Sequence, residues 1–589
     1  MPLKTAALAS LLSLAASTVA AAQEPLRLQN LQRCGDLLEN RQQAWCLTAR
    51  GLSDAMPTLK LGATALPASA VQRDGNTLRV HLDSSHYQSG PVWLEDGARA
   101  SNAAWLSLRN SHVVAAKPSE VAKNMDGLTT YVDLVSVLIE EDHDGRQEAE
   151  RLARKYGATV VGSIAPLNLF QLRLPARDLV QRDALVLRLG SETSVDAVVI
   201  EESAAEEAEA EAAAPREKPD KPAADSDEWA ANRFLDAVTY YQSRLPGRHS
   251  PILPQPVRVG VIERGVDFDT ADFADYLGAC AARRTCVYAR NTSAPDGHGT
   301  TVAGILAARW DDGGNSGLLR GLDKASGGFE VIVDRDSDAG ITANIAASVN
   351  LVEDGVRVLN WSWGIHRVGA KDVNGDDVDS LLRSGIAMSG YEELLEEFFL
   401  WLRKEHPDVI VVNSAGNGSA FSGTDDYRLP SSFITEQLLV VGGHQRGERS
   451  GLAVDDPAYA VTRSSSNVDM RVDITAAACT HASTRDASQE GAVHCGTSYA
   501  TPMVAGLLAA MLSINPQLQP EQLRMLLRRS SMAIGEKNDF ERSDAQDLTA
   551  PILPSERNYQ RTDKDIGRSA RLDMQKALDL AVQSRTRVR

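Results

Sequence analysis

From Trp229 onward, apolar runs rich in β-branched residues alternate with longer helix-patterned stretches, and each run leads into a glycine-containing turn. Val257-Arg258-Val259-Gly260-Val261-Ile262, Val356-Arg357-Val358-Leu359-Asn360-Trp361 and Val409-Ile410-Val411-Val412 are three such runs. Strands this apolar must be covered on both faces, so the alternation argues for a parallel sheet between two helix layers. In such sheets reactive groups gather beyond the carboxyl ends of the strands. A helix is expected over 341–354. Ser389-Gly390-Tyr391-Glu392 reads as a capping box opening a second helix that runs to 404.

The turns carry polar groups whose chemistry is complementary. Gly496-Thr497-Ser498-Tyr499-Ala500-Thr501-Pro502 sets a hydroxyl where a loop enters a small-residue helix. Unpaired N–H groups and the helix dipole there favour a developing negative charge. A serine before a helix also serves as a simple N-cap, and that reading stands for the segment alone. Two hundred residues upstream, Asp296-Gly297-His298-Gly299-Thr300 places an imidazole, which titrates near neutrality, at the start of another small-residue helix. Asn413-Ser414-Ala415-Gly416-Asn417-Gly418 ends the third apolar run in a glycine-flanked amide able to donate to an oxyanion. Ser362-Trp363-Gly364 follows the second run, on an edge that an extended peptide could pair with.

With these motifs in hand, the chain resembles the subtilisin-like serine peptidases (subtilases). His298-Gly299-Thr300, Ser362-Trp363-Gly364, Ala415-Gly416-Asn417 and Gly496-Thr497-Ser498 occur in the family's order, across roughly residues 250–510. The resemblance implies Ser498 as nucleophile, His298 as general base and Asn417 as oxyanion donor. It also implies Ser362, Trp363, Gly364 and Gly416 as the substrate-binding backbone. No cofactor is required. Calcium is compatible with the family, without ligands that can be named here.

One position departs from the family pattern. Glu263 follows the first apolar run where the family carries the aspartate of its triad. A carboxylate there fixes the tautomer of the histidine and stabilises its cation, and glutamate performs that task on other folds. Its extra methylene must be absorbed, and a misplacement of about 1 Å costs on the order of 10²-fold in rate. Three readings stay open: a working Ser-His-Glu triad, a degraded site, and substitution by Asp267.

Length and charge set the remaining bounds. The chain has 589 residues, enough for two to four folded units. A formal charge of −18 argues against a nucleic-acid partner, which needs clustered cations. Lys4, the apolar run 6–16 and the small residues 19–22 read as a signal peptide over 1–22, cleaved near 20–22. That implies a secreted or periplasmic protein. No later segment reads as a membrane span. Six cysteines permit fifteen connectivities. Their grouping favours the local pairs Cys34/Cys46, Cys280/Cys286 and Cys479/Cys495, because an even count in an exported chain favours disulfides.

Ahead of residue 229 three further regions are expected. Residues 23–120 show short strand runs and turns, as in a small β sandwich, with no evident chemistry beyond packing or spacing. Residues 126–202 read strand–helix–strand–strand–helix–strand, a ferredoxin-like pattern, which resembles the propeptides that chaperone and inhibit subtilases. Residues 203–228 form a linker of Ala, Glu and Pro; eleven acidic and three basic side chains over 201–228 contribute −8 of the total charge. Asp372-Val373-Asn374-Gly375-Asp376 resembles half a calcium loop, but Asp377 and Arg383 occupy positions where an EF-hand needs Gly and Glu. No metal site is therefore expected there. The expectation is an exported, self-processing serine endopeptidase acting on polypeptides, with its own propeptide as intramolecular inhibitor and residues 229–589 as the catalytic domain. The rivals are an impaired subtilisin fold that binds peptides and an acyl hydrolase using the same triad.

Overall fold

The main sheet runs Thr285–Ala289, Phe329–Asp334, Val257–Ile262, Val358–Trp361, Ile410–Ser414 and Leu438–Arg446 in spatial order, every neighbouring pair parallel. Ile474–Ala477 pairs parallel with the last of these, and Ala460–Thr462 pairs with it antiparallel. In this computed structural model the described residues are 24–34, 42–125, 127–203, 226–244, 256–290, 297–310, 314–323, 325–335, 340–366, 385–417, 428–463, 465–467, 472–483, 492–534 and 570–586. The expected signal segment, residues 204–225 of the acidic linker, Asp296 and the 372–379 loop lie outside them.

Val257–Ile262 is the strand from which the order reverses: the next two strands in the chain lie to one side and Val358–Trp361 to the other. The crevice beyond its carboxyl end is where a doubly wound sheet accepts ligands. Helices Gly297–Ala307, Thr497–Ile514, Pro520–Ser530 and Met574–Thr586 share one hydrophobic core with the sheet. Gly340–Glu353 and Gly385–Glu405 build the core of the opposite face. These are the two helix layers that the alternation requires.

Two expectations change. The helix Gly385–Glu405 runs through Ser389, so Ser389 to Glu392 is no capping box. Gly390 is instead a contact position: a Cβ there would sit 2.7 Å from the Val198 carbonyl oxygen. Among the described residues one helix, Thr497–Ile514, is also long and apolar enough to cross a membrane, which the sequence reading overlooked. All of it is buried within the protein. It is the central core helix.

The N-terminal units are of two kinds. Strands Arg27–Arg33, Gln42–Arg50, Thr77–Asp83 and Val71–Asp74 form one antiparallel sheet, and Thr58–Leu61, Gly90–Asp96 and Ala104–Leu106 belong to a second. Leu28, Leu47, Leu78, Leu59 and Leu94 meet in the core between them. Strands Leu134–Ile139, Thr159–Ile164, Leu169–Arg173 and Val195–Val199, with helices Gly145–Tyr156 and Leu179–Leu189, form a βαββαβ unit. Asp144 caps the first of these helices through Gln147 N, and Gly157 ends it at φ 67°. The cysteines pair locally as Cys34–Cys46, Cys280–Cys286 and Cys479–Cys495.

Candidate active site

Glu263 leaves the carboxyl end of the central strand and meets His298 in the first turn of Gly297–Ala307. Each carboxylate oxygen lies 3.2 Å from His298 Nδ1. The Glu263 side chain is 10% exposed and that of His298 is 22% exposed, so the pair faces a cleft while most of its surface is dry. Asp267 turns elsewhere: its Oδ1 accepts from Asp269 N at 3.0 Å, and its N–H donates to Thr300 Oγ1 at 3.1 Å. The glutamate is the acid presented to the imidazole. Tyr499, next to Ser498, brings its ring to 5.5 Å from that of His298, so the two helix openings converge.

Ser498 is buried in the first turn of Thr497–Ile514. Its hydroxyl donates to the Ser362 carbonyl at 3.3 Å, and in return the Ser362 hydroxyl donates to the Ser498 carbonyl at 2.8 Å. The second bond has a clear cause. Pro502 lies four residues after Ser498 and lacks the N–H that would bond the Ser498 carbonyl within the helix. A buried carbonyl left unpaired costs about 1–3 kcal/mol. Ser362 fills the vacancy and ties the turn after Val358–Trp361 to the helix opening.

The amide side of the cleft is fastened more heavily. Asn417 Oδ1 accepts from Thr497 N at 2.9 Å and from the Thr497 hydroxyl at 3.2 Å. Both acceptances fix the amide orientation and leave Nδ2 as the donor end. Gly416 donates its N–H to Thr497 Oγ1 at 3.1 Å, and Asn467 bonds the Ala415 and Gly416 carbonyls. Gly416 has φ 99°, and a Cβ there would meet Arg428 Cδ and Asn467 Nδ2 at 2.7 Å. Only glycine suits the position.

Ser362, Trp363 and Gly364 are shaped by neighbours absent from the motifs. Asn413 Nδ2 donates to the carbonyls of Trp361 and Trp363, each at 2.8 Å. Alternation along an extended chain then sends the Ser362 and Gly364 carbonyls to the opposite side, where the Ser498 hydroxyl meets the first. Arg428 is fully buried beneath this turn, donating to the Ser414 carbonyl and, at 3.0 Å, to Ser414 Oγ. A Cβ on Gly364 would overlap the Arg428 guanidinium. Nothing in the local sequence around Arg428 signals this role; the two glycines it supports are the trace of it. Among the described residues no group of His, Cys, Asp and Glu is arranged to hold a metal ion.

A model of the subtilase family (peptidase S8) matches residues 255–567, more than half of the chain. The chain belongs to the subtilase family. This subtilase is 25% identical over 315 residues to an extracellular serine protease of Aeromonas sobria. The match covers 49% of the subtilase, which spans 50% of the length of that curated relative. Among solved structures it is similar to fervidolysin from Fervidobacterium pennivorans, a keratinolytic enzyme related to subtilisin. The identity is 16% and the TM-score 0.47, covering 80% of this chain and 63% of that one. It is also similar to the epidermin leader peptide processing protease of Staphylococcus aureus, at 18% identity and TM-score 0.46, covering 76% and 98%.

Proposed function

We propose that this subtilase is an exported serine endopeptidase that cleaves polypeptides through a Ser498-His298-Glu263 triad and is made as a self-processing zymogen. The observation that carries the reading is the carboxylate of Glu263 set against His298 Nδ1, in a cleft where His298 packs on Tyr499 beside Ser498. The mechanism requires the Ser498 hydroxyl to leave the Ser362 carbonyl for His298 Nε2. Oγ then attacks the scissile carbonyl carbon as Nε2 takes its proton, and Glu263 stabilises the imidazolium. Asn417 Nδ2 and the Ser498 N–H donate to the oxyanion. The intermediate collapses, His298 returns the proton to the leaving amine, and an acyl-Ser498 ester remains. Water adds to that ester with His298 again as base, releasing the carboxylate product and restoring the hydroxyl.

The extended turn Ser362–Gly364 supports an antiparallel fit with substrate backbone. The βαββαβ unit against Gly385–Glu405 supports a propeptide that inhibits in place, and the linker 203–228 supports cleavage there. The leader-like residues 1–22 support export, secreted or periplasmic.

Expression of the full chain tests this directly. Wild type is expected to cut itself within 203–228 and to react with a fluorophosphonate at Ser498, while Ser498→Ala does neither. Wild type that stays intact and unlabelled would leave a peptide-binding fold instead. Glu263→Asp shortens the acid by one methylene; with the pocket fitted to glutamate, kcat/KM is expected to fall by about 10²-fold. A rise would mean that glutamate is the compromised residue.

A further inference from the structure

The β sandwich does not sit beside the catalytic domain as a spacer; it completes it. Thr285–Ala289 is an edge of the main sheet, and Ala103 extends that edge by a parallel bridge to Tyr288, with Ala289 N donating to the Ala103 carbonyl at 3.0 Å. Gly278 N donates to the Ser101 carbonyl at 2.7 Å. Trp105 is 3% exposed and lies in the same apolar cluster as Tyr288, Ile332 and Leu359 of the catalytic sheet. Its Nε1 donates to Asp354 Oδ2 at 2.9 Å, while Arg109 Nε donates to Asp354 Oδ1 at 2.9 Å. The Asp354 side chain is 1% exposed, so both of its oxygens are satisfied by the sandwich segment and not by water. Ser111 and Asn350 exchange two further bonds, at 3.2 and 2.8 Å.

The sandwich also reaches the turn that follows Glu263. Arg27 Nε pairs with Asp269 Oδ1 at 2.9 Å, and Arg50 pairs with Asp269 Oδ2. Asp269 N–H in turn bonds Asp267, whose own N–H bonds Thr300, two residues beyond His298. Stripping the sandwich away would leave a buried carboxylate without its donors, uncover an apolar sheet edge and unbrace this turn. Removing one partner of a buried, hydrogen-bonded charge is strongly unfavourable.

We infer that the sandwich, residues 24–111, is a permanent part of the working enzyme, so that a cut in the linker yields two chains that stay together through it. The partner of the Tyr288–Asp354 surface is thus this chain's own N-terminal segment. The inference rests on the zymogen reading, because only a cut in the linker makes two chains.

The test places a recognition site for an added sequence-specific protease within 204–225, in a full chain that also carries Ser498→Ala. After cutting, both fragments are expected to elute together from a sizing column without denaturant. Asp354→Ala is expected to raise the dissociation rate by about 30-fold or more. Tyr391→Phe, which removes the hydroxyl that bonds the Ile200 carbonyl and Glu202 N, is expected to raise it far less. Should Asp354→Ala not fold, Arg109→Ala, whose side chain is 45% exposed, reports the same contact with a smaller effect. Separation of the cut fragments, or release by Tyr391→Phe with none by the Asp354 or Arg109 variants, would overturn the inference. Because the added protease makes the cut and Ser498 is absent, this outcome is independent of whether the wild type processes itself.

Discussion

The β sandwich and the βαββαβ unit both cover the same helix layer of the catalytic domain, but their contacts differ in kind. The sandwich extends the main sheet, buries Trp105 and closes both oxygens of Asp354. The βαββαβ unit lays Val195–Val199 across Gly385–Glu405. There Tyr391 OH donates to the Ile200 carbonyl at 2.7 Å and accepts from Glu202 N at 2.8 Å. Its Glu201 carboxylate sits over the opening of Gly340–Glu353, accepting from Thr342 N at 3.1 Å and from the Thr342 hydroxyl. That residue is buried, and the burial pushes its pKa up to about 7 against the pull of Thr342, Ile341 N–H and Arg335. The βαββαβ contact therefore contains a group that changes charge within the neutral range.

The largest expected effect that would break this contrast is on the sandwich side. Trp105→Ala removes a buried indole and the donor to Asp354 Oδ2, and should destabilise the whole protein by about 3–5 kcal/mol in thermal unfolding. A variant melting with the wild type would make the sandwich an accessory after all. Next comes Gly390→Ala. Alanine favours the helix by about 1 kcal/mol, yet its Cβ meets the Val198 carbonyl at 2.7 Å, so docking of Val195–Val199 should weaken by about 1–3 kcal/mol. Faster hydrogen exchange confined to that strand, with the sandwich strands unchanged, is the expected result.

The smallest effect is in pH. A carboxyl with a raised pKa in the docked state favours docking when protonated, so its contribution is full below about 4.5 and is lost as pH rises through about 7. Protection of Val195–Val199, corrected for intrinsic exchange, should therefore fall by about tenfold or more between pH 4.5 and 7.5. Glu201→Gln should flatten that slope. A slope of opposite sign would remove Glu201 as the titrating group.

Much of the site was legible because each part is local. His298, Ser498 and Asn417 stand in glycine-flanked turns next to an apolar strand or a small-residue helix, and the structure gathers these turns around one cleft. Glu263 could be located from its strand, but its competition with Asp267 could not be resolved, because that depends on which carboxylate the turn aims at the ring. The Ser362 hydroxyl on the Ser498 carbonyl was also hidden, although Pro502 was its clue: a missing helix N–H implies some other donor. Ser389 to Glu392 misled for the complementary reason. Its spacing imitates a cap, whereas Gly390 answers to the approach of a strand almost two hundred residues earlier.

The sequence alone determined the helix-covered parallel sheet and the order of its glycine-containing turns, and favoured the local pairing of cysteines, since apolar period, glycine placement and chain separation act over short stretches. Tertiary structure alone decided that Glu263 faces His298, that Arg428 underlies the Ser362–Gly364 turn and that Asp354 bonds the sandwich segment. Those outcomes depend on burying charges beside distant partners, and the cost of an unpaired buried charge is set in space, not along the chain.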